Sequence, residues 1–217
     1  MEHRTKEAQV ADTLREGIIA GRYPRGSRLK QAEIAAALQT SSTPVREALK
    51  ILEAEGYVQA ASYRGCVVAP FDLRASQEVA SLRVQLEVLL VRHAAARITA
   101  DEVRELQELS RKYAHAVRLQ DKTGARALNY RFHWRIYDIA DQPQTSHFVQ
   151  ILWAKYPFDL QLQAKGRTQR SVVEHQQVLE ALAAGDVAAA LLGMRDHIEL
   201  GWRDLRDSLN IEASAKG

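Results

Sequence analysis

Val10, Leu14 and Ile18 recur four residues apart and the pattern stops at Gly21, which predicts an amphipathic helix with a glycine at its C-terminal end. A turn over Arg22–Ser27 leads to Leu29, and Ile34, Ala35 and Leu38 then mark a short second helix that ends before Thr40–Ser42. A third helix follows at once. Thr43 is its expected cap, Pro44 suits its first turn, where a missing N–H costs nothing, and Val45, Leu49 and Leu52 line its buried side. Arg46 and Lys50 lie on the opposite side. After Gly56 come two β-prone runs, Tyr57–Ala61 and Cys66–Ala69, separated by a Tyr63-Arg64-Gly65 tip that can close a hairpin. Three helices and a hairpin make a winged helix-turn-helix.

The texture changes near Pro70. Residues 1–70 are short segments punctuated by glycine and proline, whereas residues 71–217 carry long helical patterns with few breakers. Val79, Leu82, Leu86 and Leu89 form one apolar stripe, and Thr99-Ala100-Asp101-Glu102 reads as a capping box opening the next helix. Further helices are expected over Ala125–Ala140, Pro143–Gln163, Val172–Ala184 and Val187–Leu209, the last capped by Asp186. About six antiparallel helices with short connections form a bundle, whose interior can house a ligand or metal. The expected fold is thus mainly α, with a winged helix-turn-helix at residues 1–70 and an all-helical bundle domain able to house a ligand at 71–217.

Composition narrows the function only by exclusion. At 46% hydrophobic and 26% charged, the 217 residues have enough apolar material for two small cores. The single cysteine, Cys66, rules out an internal disulfide framework and cysteine-rich zinc modules, and fits a reducing cytoplasm. Met1–Val10 is charged rather than apolar, and no stretch approaches the roughly 18 uncharged residues of a membrane span, so a cytoplasmic protein without membrane contact is expected. A net charge of +3 permits nucleic-acid binding without requiring it.

The third helix supplies the chemistry that charge alone does not. Buried on one side and polar on the other, it can lie in a major groove about 12 Å wide with Thr43 and Arg46 at the base edges. Lys50 and Arg64 can neutralise phosphates, and an Arg64-Gly65 tip is narrow enough for the minor groove. Taken singly, Arg46 and Glu47 are equally well read as a solvated helix face. In the bundle, His133, His175 and His197 lie near apolar stripes on three helices, and Asn129 shares a face with His133. Three imidazoles plus an oxygen donor suit zinc, nickel or manganese, with positions left for a ligand carboxylate. Periodicity by itself is as well satisfied by hydrogen-bonded core histidines.

Ser42-Thr43-Pro44-Val45-Arg46-Glu47-Ala48-Leu49, followed by Leu52-Glu53-Ala54-Glu55-Gly56, resembles the DNA-binding domain of the GntR family of regulators, and the remainder resembles the ligand domain of its FCD, or fatty-acid-regulator-like, subfamily. The resemblance implies a homodimeric regulator, more often a repressor, that contacts a pseudo-palindromic double-stranded operator through Thr43, Arg46, Arg64 and Gly65, with Ser42 and Lys50 beside them. Ser42 departs from the family, which usually has an arginine there. Many FCD domains bind a metal through an Asp-x-x-Phe-His pattern and two later histidines; here the pattern reads Asn129-Tyr130-Arg131-Phe132-His133, with His175 and His197 at the matching places. Asn129 offers a neutral carbonyl in place of a carboxylate. The resemblance also implies that Arg83 holds a small organic acid or sugar acid, although Arg83 and Glu87 four residues apart equally suit a surface ion pair; Tyr137, one turn after His133, is a further candidate for the pocket.

Two other classes compete. A metal-dependent hydrolase could use the same histidines, but no general base is expected beside them, because Asp138 is off the His133 face and Glu174 points away from its neighbour His175. A non-sensing architectural dimer would use the bundle for association only. A DNA-binding half has no use in the hydrolase, so the regulator is the expectation and an enzyme is not.

Overall fold

The computed structural model describes residues 5–61, 65–156, 158–161, 164 and 166–214. The N-terminal part runs α1 (Lys6–Ile19), β1 (Arg28–Leu29), α2 (Gln31–Ala37), α3 (Ser42–Glu55), β2 (Val58–Ala61) and β3 (Gly65–Val68). Both strand pairs are antiparallel in the order β1-β3-β2, with Leu29 opposite Cys66 and Val58 opposite Val68. Leu14, Val45, Ala48, Leu52 and Val68 are fully enclosed between the helices and this small sheet. β1 is absent from the sequence expectation, since two residues are too few to show a period of two. The helix α3 starts at Ser42, following an extended Ser41, so Thr43 lies inside the first turn and is not the cap. Proline is tolerated anywhere in that turn, so Pro44 does not mark the start of the helix. Gly56 ends the helix at φ 86°, a left-handed conformation that costs glycine nothing.

The bundle comprises α4 (Ser76–Ala95), α5 (Ala100–Arg118), α6 (Lys122–Ala140), α7 (Pro143–Lys155), α8 (Phe158–Gln161), α9 (Arg167–Ala184) and α10 (Val187–Ser214). The capping box of α5 is formed in both directions, between the Thr99 hydroxyl and Glu102 N–H and between the Glu102 carboxylate and Thr99 N–H. Asp186 accepts from Ala189 N–H at 3.0 Å at the start of α10. The single helix expected over Pro143–Gln163 is instead two. Tyr156 is extended (φ −91°, ψ 135°) because it precedes Pro157, whose ring disfavours helical backbone in the residue before it.

The stripe expected on α4 is corrected too. Leu82 is 39% exposed and Leu86 and Leu89 are half-buried, while the face turned to the core carries Val79, Arg83, Glu87, Leu90 and Ala94. Arg83 and Glu87 take the core-facing positions that the leucine stripe was expected to hold. The two parts meet directly: Ala154 of α7 belongs to the N-terminal core, and Arg131 of α6 pairs with Glu16 of α1 at 2.6 Å.

Candidate ligand site and nucleic-acid interface

His133 on α6, His175 on α9 and His197 on α10 converge in the bundle, each buried, with one ring nitrogen of each within 4.8 Å of the other two. The hydrogen bonds around them define the tautomers. Tyr137 donates its hydroxyl hydrogen to Glu87, so its oxygen is left to accept from His133 Nδ1 at 3.1 Å. His197 Nδ1 donates to Glu174 Oε2 at 2.7 Å. Both rings therefore turn an Nε2 lone pair inward. His133 Nε2 and His175 Nε2 are 3.1 Å apart, so three inward nitrogens share at most the one proton that His175 can contribute. Among the described residues His175 Nδ1 has no hydrogen-bond partner, although it is buried. Burial lowers the proton affinity of all three imidazoles, and Arg167 acts in the same direction on each, as neighbouring histidines do on His133 and His175; for His197 the Glu174 carboxylate opposes but does not reverse it.

This donor set fits a cation. Neutral imidazoles are the ligating form, and nitrogens bound at about 2.1 Å to one ion sit about 3.0 to 3.4 Å apart in octahedral or tetrahedral geometry, a range that holds the 3.1 Å His133–His175 separation. Asn129 is buried and lines the same small cavity as His197, Arg83 and Arg167, on the face expected from its spacing to His133.

Arg83 and Glu87 do pair at i and i+4, at 2.7 Å, but they do so in the interior, at 2% and 0% exposure, and not on the surface. The Arg83 guanidinium is boxed by the rings of Tyr156 at 4.5 Å, Phe158 at 4.6 Å and Trp153 at 5.2 Å. Glu87 also accepts from Trp153 Nε1 at 3.0 Å and from Tyr137. Tyr137 thus holds the His133 ring rather than lining open space, and burial together with Glu87 raises its phenol well above the ordinary value.

Glu174 is the second correction. It does not point away from the site: it orients His197 and is held by both arms of Arg167 at 2.8 and 2.6 Å. Burial works against its charge, yet the hydrogen bonds from His197 and Arg167 prevail and bring the carboxyl down to about 2. So firmly paired an anion is no general base. Asp138 is exposed, off the His133 face as expected. Arg167 and Ser171 were missed in the sequence, where the seven-residue spacing of Arg167 and Glu174 on one helix was the available signal, and Glu87 was read there only as the i+4 partner of Arg83. His93, His115 and His147 are half-buried or exposed, away from the centre.

At the other end, Ser42, Thr43, Arg46 and Lys50 are all exposed on α3, and Glu47 lies between the two cations, 3.1 Å from Arg46 Nε and 3.1 Å from Lys50 Nζ. The Lys50 and Arg46 hydrogen bonds hold the Glu47 carboxyl below the usual range. Gly65 opens β3, exposed and at φ 71°, where a side chain would be strained. Arg64 lies outside the described residues.

Two family signatures match: "Bacterial regulatory proteins, gntR family" over residues 6–68 and the FCD domain over residues 78–200. The chain belongs to the GntR family of transcriptional regulators, in its FCD class. The transcriptional regulator McbR of Escherichia coli K12 is 29% identical over 155 residues, 71% of this chain and 70% of that protein. A probable D-xylose utilization operon repressor of Paenarthrobacter nicotinovorans is 28% identical over 89% of this chain and 86% of its own. In fold, the solved E. coli McbR/YncC covers 95% of this chain and 99% of that one at a TM-score of 0.83 and 24% identity, and a GntR regulator of Rhodococcus sp. RHA1 gives 0.73 at 25% identity, covering 93% and 98%. This GntR/FCD chain is accordingly a transcriptional regulator and not an enzyme. Among its described residues no helix is long and apolar enough to cross a membrane.

Proposed function

We propose that the chain is a cytoplasmic repressor whose winged domain (residues 1–70) grips a pseudo-palindromic operator and whose bundle (residues 71–217) senses a small organic acid or sugar acid through a metal. The observation that carries the sensing half is the convergence of three neutral imidazoles whose inward lone pairs outnumber the protons available to bridge them. His133, His175 and His197, with the Asn129 carbonyl, would hold zinc, nickel or manganese. Such an ion supplies a Lewis-acidic anchor for carboxylate oxygens. Arg83 then adds a directional cation, for which the ligand competes with Glu87. The probable D-xylose utilization operon repressor, matched over 89% of this chain, supports a sugar-derived effector. Leu82, Leu86 and Leu89, left partly exposed in one row on α4, support a homodimer.

The test is a thermal-shift screen of small carboxylates with zinc, followed by gel shifts with every hit. A hit that stabilises the protein yet never alters operator affinity overturns the sensor. Because Arg83 is buried against Glu87, Arg83→Lys, which keeps the charge but loses the fork, is the cleaner probe: it should weaken the acid about tenfold or more while operator binding without the acid is unchanged.

For the operator, Arg46→Ala should remove sequence discrimination, a loss of about 1–3 kcal/mol per half-site, whereas Lys50→Ala should weaken all sequences alike and flatten the salt dependence. Footprints of a single half-site bound by one chain, or full discrimination by the Arg46 variant, count against this assignment.

A further inference from the structure

The cavity beside Asn129, His197 and Arg83 measures about 10 Å³, room for one water-sized group and no more. An organic acid therefore enters only if a wall gives way. Arg83, Arg167 and His197 are tied into buried ion pairs or hydrogen bonds. Among the described residues Phe158 has no such tie: its ring, from the four-residue helix α8, is held by packing on Arg83, Trp153 and Tyr156, and it stands between two spaces. On one side is the ligand cavity. On the other is a pocket of about 250 Å³ between the winged domain and the bundle, walled by Phe158, Trp153, Ile18, Tyr57 and Arg25.

Arg25 sits where movement of that ring would be felt. It projects from the turn between α1 and β1 and donates to three carbonyls: Ala69 at 3.0 Å, Ala154 at 3.2 Å and Tyr156 at 3.1 Å. The last two are oxygens at the C-terminal end of α7, where helix carbonyls lack partners and a cation is favoured. The Tyr156 ring in turn packs on the Arg83 guanidinium. One residue thus joins the winged domain to the segment that walls the ligand cavity.

We propose that the Phe158 ring is the movable wall of the ligand cavity, displaced by the carboxylate into the interdomain pocket, and that Arg25 carries this displacement to the winged domain. The inference rests on the ligand site described above. Its two residues have separable roles: Phe158 limits entry, and Arg25 couples entry to the position of the DNA-binding helices.

The test is hydrogen exchange on the full chain loaded with zinc, using acetate as the probe carboxylate against chloride at equal ionic strength. In the wild-type protein acetate should slow exchange in α6, α9 and α10 and speed it about five- to tenfold in residues 20–29, the size of a usual coupling between sites. Arg25→Ala should keep the slowing in the bundle and lose the response of residues 20–29. Phe158→Ala should reach the same slowing in the bundle at lower acetate, because the wall is already open, and also lose the distant response. Arg131→Ala, which breaks another contact between the two parts, should behave as wild type. Bundle protection with no change at 20–29 in the wild-type protein, or an unchanged response in both the Arg25 and Phe158 variants, overturns the coupling alone. Loss of the response in Arg131→Ala as in Arg25→Ala shows a general loosening and overturns the role of Arg25. No slowing anywhere in the bundle overturns the ligand site and the movable wall with it.

Discussion

His175→Ala is expected to abolish stoichiometric metal uptake and to erase the thermal stabilisation that metal confers. His133, His175 and His197 come from three separate helices, so an ion among them cross-links α6, α9 and α10 and stabilises only the folded chain. At a hundredfold excess over its dissociation constant that linkage is worth about 2.7 kcal/mol. For a chain of this size it corresponds to a rise in melting temperature of roughly 5–10 °C. Chelation should reverse it. Asn129→Asp should raise affinity further, since a hard anionic oxygen replaces a neutral amide in the same cavity. The competing account is a metal-free pocket that holds its ligand by histidine and asparagine hydrogen bonds. Elemental analysis of protein purified without chelator or histidine tag separates the two: under about a tenth of an equivalent of any transition metal, with no uptake on titration, would falsify the metal centre.

Glu87→Ala should cost about 3–5 kcal/mol, the usual penalty for stripping the partner from a buried charge. Glu87 is fully enclosed and serves Arg83, Trp153 and Tyr137 at once. Its loss leaves a guanidinium without counter-charge inside the bundle and frees the ring of His133, which Tyr137 positions. That is a large share of a typical domain's net stability. The midpoint of urea unfolding measures it directly. Replacing the pair together, as Arg83→Met with Glu87→Leu, should recover the part of the loss due to the stranded guanidinium, but not the part due to the Trp153 and Tyr137 donors left without an acceptor, while removing carboxylate binding. A cost of less than about 1 kcal/mol for Glu87→Ala would mean that water reaches the pair in solution.

The helices that were legible beforehand are those that declare themselves locally. The Thr99–Glu102 box and the Asp186 cap are written into consecutive residues and are found as expected. The wing strands and α3 were recognisable because turn glycines and a one-sided apolar pattern bracket them. The errors fell where local and tertiary preferences part. Pro157 breaks a helix that hydrophobic periodicity would have continued, and β1 exists only because β3 offers it hydrogen-bonding partners.

Sequence by itself determined the family and the mainly helical class, and it singled out the three histidines and the cations of α3 as candidates, because each is a matter of residue type at a fixed spacing. Tertiary structure decided which way the charges face. The i, i+4 pair Arg83–Glu87 reads identically whether it lies in water or in a core, and only the packing of Trp153, Tyr156 and Phe158 around it makes it interior. Likewise Glu174 meets His197 from a different helix, a contact that no spacing along the chain encodes. Periodicity reports the direction of a side chain relative to its own helix axis, whereas burial depends on what the rest of the chain brings to that face.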